Sequence, residues 1–124
     1  MVSGDAVVRG GAVVYGNAHV YEDAVISGVA MIYGNARVYG NAMIYGNANI
    51  SDNNSYCCFQ SFGSSNRTTT AFREKDGNIR IDCGCFSGTI TEFKNKVIET
   101  HGDSKYAKEY LAIIEVIKIK FDVK

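Results

Sequence analysis

Ser64, Ser65, Asn66, Arg67, Thr68, Thr69 and Thr70 form the densest run of side chains suited to an anion. Hydroxyls, turn amides and guanidinium forks all bond phosphate oxygens, and Arg73 and Arg80 follow close behind. Tyr56, Phe62 and Phe86 add planes on which a base can stack. The expected site for a nucleotide-sized anion is therefore Tyr56, Phe62, Ser64, Ser65, Asn66, Arg67, Thr68, Thr69, Arg73, Arg80 and Phe86. The competing reading is an ordinary solvated sheet face with a Ser/Thr turn, or a face packed against the N-terminal repeats or a neighbouring subunit.

Thiols and imidazoles are the other reactive groups. Cys57-Cys58 and Cys83-x-Cys85 hold four sulfurs, but a structural zinc site favours Cys-x2-4-Cys spacing in loops. Cys83 and Cys85 instead continue the apolar alternation of Ile79 and Ile81, as small buried hydrophobes do. The two histidines, His19 and His101, are too few for a three-histidine metal centre. No metal, cofactor or catalytic residue is expected.

The elements that position these groups begin with one phrase said eight times. From Gly4 to Ser51 the chain reads GDAVVR, GGAVVY, GNAHVY, EDAVIS, GVAMIY, GNARVY, GNAMIY, GNANIS. Its third place is always Ala and its fifth always Val or Ile, so in Ala-x-Val both face one way while their neighbours face the other. Gly followed by Asn or Asp turns the corner, because these residues tolerate left-handed backbone angles. Strand and corner repeating every six residues wind a solenoid around stacked apolar positions. The stretch 2–51 resembles the hexapeptide-repeat, left-handed β-helix superfamily, departing from its pattern only at the corner positions Gly11, Glu22 and Val29. The resemblance implies three phrases per triangular coil, hence just under three coils.

On that arrangement the first outer face carries Val7, Val25 and Met43, with Arg9, Ser27 and Tyr45. The second carries Val13, Met31 and Asn49, with Tyr15, Tyr33 and Ser51, and the third carries His19 and Arg37 with Tyr21 and Tyr39. Contiguous exposed apolar surface marks an interface. Val7, Val13, Val25, Met31, Met43, Tyr15, Tyr33 and Tyr45 are therefore the expected contacts between copies, most simply in a homotrimer.

Ser51-Asp-Asn-Asn-Ser55 breaks the hexad, dividing the chain into a repeat module at 1–51 and an α+β module at 52–124. Three antiparallel strands are expected at Tyr56–Phe62, Arg67–Glu74 and Ile79–Phe86, with Asp76-Gly77 as a two-residue hairpin turn. That register sets Phe72 beside Ile81, Arg73 beside Arg80 and Phe59 beside Thr70. One face then gathers Cys57, Phe59, Phe72, Ile79, Ile81, Cys83 and Cys85, and the arginines and Tyr56 lie on the other. Thr89-Ile-Thr-Glu92 is a capping box opening a helix that buries Phe93 and Val97 and stops at Gly102. Asp103 or Ser104 caps a second helix burying Tyr106, Tyr110, Ile113, Ile114, Ile117 and Phe121. The helices should cover the apolar face and leave the other open. Phe62-Gly-Ser-Ser-Asn-Arg-Thr-Thr-Thr70, Cys83-Gly-Cys-Phe86 and Thr100-His-Gly102 resemble small modules joined to hexapeptide stretches in phage and gut-bacterial proteins. That resemblance implies an origin in a mobile element and no particular activity.

With 13 basic and 13 acidic residues, neither a non-specific nucleic-acid binder nor a membrane-surface binder is indicated. No apolar run approaches a membrane span and no export signal is apparent, so a cytoplasmic protein of a bacterial host cell, with reduced thiols, is expected. Hexapeptide acyltransferases rely on a histidine beside a loop thrown out from the coil. Here the hexads run unbroken, His19 lies on the polar face, and residues 1–72 hold no Lys for coenzyme A phosphates. The expected function is a non-enzymatic homo-oligomer that sequesters a phosphate-bearing nucleotide signal of host defence. The alternatives are a protein-binding inhibitor or structural adaptor using the same face, and an acyltransferase.

Overall fold

The computed structural model describes residues 1–52, 54–63, 67–83 and 86–123, with Arg67 described by its main chain alone. Eight two-residue strands come first: β1 (Val7–Val8), β2 (Val13–Val14), β3 (His19–Val20), β4 (Val25–Ile26), β5 (Met31–Ile32), β6 (Arg37–Val38), β7 (Met43–Ile44) and β8 (Asn49–Ile50). They stack in parallel as β1-β4-β7, β2-β5-β8 and β3-β6, so three hexads make one coil and the three outer faces hold the residues expected of them. Val2 bridges to Val20 above β3.

The inward Ala and Val/Ile positions from Ala18 to Ile50 are buried in one column, while Ala6, Val8, Ala12 and Val14 of the first coil are half-buried. Corners are tight: a Cβ on Gly28, whose φ is +71°, would lie 2.7 Å from the Gly46 main-chain nitrogen one coil below. Glu22 occupies the equivalent corner at φ 59°, a conformation costing a non-glycine residue about 1 kcal/mol.

The second module has four antiparallel strands where three were expected: β9 (Tyr56–Phe62), β10 (Arg67–Arg73), β11 (Ile79–Cys83) and β12 (Phe86–Thr89), in the order β12-β11-β10-β9. Two helices, α1 (Ile90–His101) and α2 (Lys105–Lys120), close the chain. The capping box forms as read: Thr89 Oγ1 accepts from the Glu92 N–H at 3.1 Å, and Glu92 Oε1 accepts from the Thr89 N–H at 2.9 Å. Ser104 caps α2. Its buried stripe is Ala107, Tyr110, Ile113, Ile114 and Ile117, followed by Phe121, with Tyr106 exposed instead of inside.

Arg67 pairs with Phe62 as expected, but from Thr69 onward the register of β10 differs by one residue from the expected one on both sides. Thr69 pairs with Cys83 and Phe59, Ala71 with Ile81 and Cys57, and Phe72 with Arg80 and Tyr56. Against β9 the shift falls at an irregularity between Arg67 and Thr69, opposite Ser61 at φ 68°. Against β11 the cause is the turn: Glu74 N–H donates to the Asn78 carbonyl and Gly77 N–H to the Glu74 carbonyl, with Gly77 at φ 89°. This is a three-residue loop closed by a left-handed glycine, not a two-residue Asp-Gly turn. Shifting a strand by one residue exchanges its faces. Thr69, Ala71 and Arg73 therefore turn toward the helices, and Phe72 turns to the opposite side.

That opposite side is not open. Phe72, fully buried, and Tyr56 belong to the same apolar cluster as the coil interior, so the sheet caps the last coil. Thr70 Oγ1 accepts from the Met43 N–H at 3.2 Å, Lys75 N–H donates to the Asn47 carbonyl, and Ala48 bridges to Glu74. Phe72→Ala should cost about 3–5 kcal/mol and loosen coil and sheet together. Urea unfolding followed by far-UV circular dichroism checks this; a loss under 1 kcal/mol would show that the sheet does not close the coil.

Candidate functional site

The sheet residues expected to gather on one binding face are dispersed. Ser64, Ser65, Asn66 and the Arg67 side chain lie outside the described residues. Thr69 is buried on the helix side, where its hydroxyl points to Cys83 Sγ at 3.2 Å. Arg73 lies on that side too, its guanidinium 5.4 Å from the Phe121 ring centre and bonded to the Gly77 carbonyl at 3.2 Å. Phe86 opens β12 and packs against Phe93 at 5.3 Å between ring centres. Thr68 is half-buried and Phe62 is exposed at the far end of β9. Only Tyr56 and Arg80 keep the expected side, and the coil covers it.

Arg80 is engaged there. Its Nε donates to Ser87 Oγ at 2.7 Å, and Glu74 and Asp82 each approach to 4.0 Å. Asp82 is 3 % exposed, and no described group hydrogen-bonds either carboxylate oxygen. Burial pushes its carboxyl from the usual 3.8 up to about 6; Ser87 and Arg80 pull it back only in part, and Glu74 pushes it further up.

A recess lies at the end of the coil instead. A coil that stops leaves a step one strand spacing high, about 4.8 Å. The chain leaves after β8 on the second face, so the step falls below β6 on the third. Tyr56 fills its inner part: its hydroxyl donates to the Arg37 carbonyl at 2.6 Å and also bonds the Tyr39 main chain. Burial raises the Tyr56 phenol well above its ordinary range, so it stays neutral. The outer part is a cavity of about 640 Å³ lined by Tyr21, Arg37, Tyr39, Tyr56, Cys57, Cys58, Gln60 and Lys120.

Chemically, this cleft has what the sheet face was expected to have. Arg37 comes from the coil and Lys120 from the last turn of α2, where a cation also suits the helix dipole. Tyr21 and Tyr39 stack with ring centres 5.4 Å apart and 16° between planes. Cys57 faces the helix side and Cys58 the coil side, so the two thiols diverge. Burial pushes the Cys57 thiol up to about 11 against the pull of Lys120, and burial raises Cys58 as well. Neither is a thiolate near neutrality, so neither is a ready nucleophile. Cys83 is buried beside Thr69 and Tyr110, and Cys85 lies outside the described residues.

The main chain supplies further groups. Ser55 O accepts from Arg73 N–H, so by antiparallel alternation Ser55, Cys57 and Phe59 turn to β10 and Tyr56, Cys58 and Gln60 turn outward. β9 is the edge strand, so the outward amides and carbonyls of Tyr56 and Cys58 face away from the rest of the sheet. Gln60 Oε1 accepts from Asn41 Nδ2 at 3.2 Å, which lays the coil corner over that end of the edge.

Away from the cleft, Ser3 Oγ and His19 Nε2 are 2.9 Å apart. A serine nucleophile also needs a group orienting its base and donors for an oxyanion; neither is found around this pair among the described residues. Among the same residues no three His, Cys, Asp or Glu side chains gather as a metal would require, and no helix is long and apolar enough to cross a membrane. Comparison with family models, curated proteins and solved structures finds no match to this chain.

Asp82 makes a pH prediction. Its folded value lies above its unfolded one, so its favourable contribution is complete below about pH 4 and is lost as pH rises through about 6. Asp82→Asn should therefore be more stable than the parent at pH 8, by on the order of 2 kcal/mol, with the gap closing toward pH 4. Parallel urea melts at the two pH values measure this; a gap independent of pH would contradict it.

Proposed function

We propose that the protein is a non-enzymatic homo-oligomer that sequesters a phosphate-bearing nucleotide in the cleft below the third face of the coil. The observation that carries this reading is the cleft itself, where Arg37 and Lys120 join a stacked tyrosine pair beside the outer edge of β9. Guanidinium and ammonium groups hold phosphate oxygens, and aromatic planes hold bases. The volume, about 640 Å³, falls in the ordinary range for small-molecule sites. The likeness of the second module to phage and gut-bacterial modules makes a cytoplasmic nucleotide signal of host defence the ligand class of choice. Left-handed winding of the coil, carried over from the superfamily it resembles, belongs to the same proposal.

The outer walls support the oligomer. Val7 and Val13 are 42 % and 47 % exposed, Tyr15 is similarly exposed, and Val25, Met31, Met43, Tyr33 and Tyr45 are half-buried along the same two faces. Tyr15 and Tyr33 stack 5.3 Å apart and 8° from parallel, a flat apolar strip that a second copy can cover. Capture of a protein segment as an added strand is the second reading, and the unpaired edge of β9 favours it.

Calorimetry with mono-, di- and cyclic nucleotides tests the ligand class. Arg37→Ala and Lys120→Ala should each weaken capture by about tenfold or more, as loss of a charged hydrogen bond does. Absence of binding by every nucleotide, with wild-type protein folded, removes the reading. Sedimentation equilibrium tests assembly: three copies of the 13.5 kDa chain are expected, and Val13→Asp should release monomers. A wild-type monomer at micromolar concentration would remove the homo-oligomer.

A further inference from the structure

The proposed cleft holds more than charge, and its remaining features narrow the ligand. Rings at the same corner of successive coils stack, as Tyr21 does on Tyr39. The ladder has two rings because the coil ends before a third could be placed on that face. Tyr39, 49 % exposed, is its last member and lines the cleft. Beside it runs the outer edge of β9, the last strand of its sheet, with the Tyr56 carbonyl and the Cys58 amide directed away from β10. An acceptor at one residue and a donor two residues on, side by side on a strand edge, match the adjacent donor and acceptor on the pairing edge of a nucleobase.

We infer that the cleft is selective for purine nucleotides: the base lies as the third ring of the ladder, against Tyr39, and its pairing edge is read by the main chain of Tyr56 and Cys58. This rests on the nucleotide reading above and adds a base-specific component to it. Phosphate is left to Arg37 and Lys120, on the coil and the helix. A purine suits the slot better than a pyrimidine because its two fused rings cover more of the Tyr39 face. A longer occupant fits the edge less well. The Tyr56 phenol crosses one end of it to reach β6, and the Asn41–Gln60 pair closes the other, leaving less than an ordinary added strand of three or more residues.

The test is calorimetry on the full-length protein with AMP, GMP, ribose 5-phosphate and pyrophosphate. Two further probes have the pairing edge blocked, N6,N6-dimethyl-AMP and N1-methyl-GMP. At least one purine nucleotide should bind about tenfold or more tightly than ribose 5-phosphate. Tyr39→Ala should bring that nucleotide down to the sugar phosphate, whose own affinity should not change. The blocked counterpart of the tighter nucleotide should also lose about tenfold. Equal affinity for purine nucleotides, ribose 5-phosphate and pyrophosphate overturns the base site while leaving an anion site in place. A blocked nucleotide that binds as well as its parent overturns the edge reading. If none of the six binds, both this inference and the nucleotide reading fall.

Discussion

A stack of parallel strands has to end, and its last coil presents main-chain groups and apolar side chains with nothing below them. The rest of this molecule is arranged around that exposed end. Each hexad satisfies the one above it, Tyr21 N–H donating to the Val38 carbonyl and Val25 N–H to the Ala42 carbonyl, until β6, β7 and β8 are reached. The second module then supplies what a further coil would have supplied. Thr70 meets the amide of Met43, Lys75 the carbonyl of Asn47 and Tyr56 the carbonyl of Arg37, while Phe72 closes the apolar column from below. Repeat arrays need such protected ends.

The same constraint accounts for the cleft. A flat sheet cannot follow the step at the end of a helical coil, so cover over β7 and β8 leaves a recess below β6. Tyr56 bridges the recess with a phenol that burial keeps neutral, and the space outside it is bounded by cationic and aromatic groups from three separate stretches of chain. Elsewhere along the seam the fit is less complete. Asp82 is enclosed with no hydrogen bond at ordinary length to its carboxylate, and Ser87 and Arg80 offset its burial only in part.

Much of this was legible in the sequence because the hexad is so regular. With three phrases per coil, each outward residue falls on the face where the structure has it, including Tyr21, Arg37 and Tyr39 together on the third. The helices were legible through their caps, Thr89 and Ser104, though the stripe the spacing predicts includes Tyr106, and Ala107 is buried in its stead. The sheet register was not legible, because Asp76-Gly77 suits both a two-residue turn and a three-residue loop with Gly77 left-handed. That single residue of slip carried Arg73 and Thr69 to the helix side and Phe72 to the coil. The cleft escaped because Lys120 and Arg37 are distant in sequence and meet only through the docking of the sheet. One signal was available: the coil stops on the second face, so a step had to lie beneath the third.

The most direct measurement is amide hydrogen exchange at Tyr39, in the wild-type protein and in Tyr56→Phe. Tyr39 directly follows β6, the last strand of the third face, and its main chain is bonded by the Tyr56 hydroxyl in place of a further coil. If the second module completes the coil as described, the Tyr39 amide is protected in the wild type. Loss of the hydroxyl should then speed its exchange about five- to tenfold, while the Tyr21 amide, bonded within the coil, is unchanged. A Tyr39 amide that exchanges freely in the wild-type protein, or at the same rate in both proteins, contradicts the account.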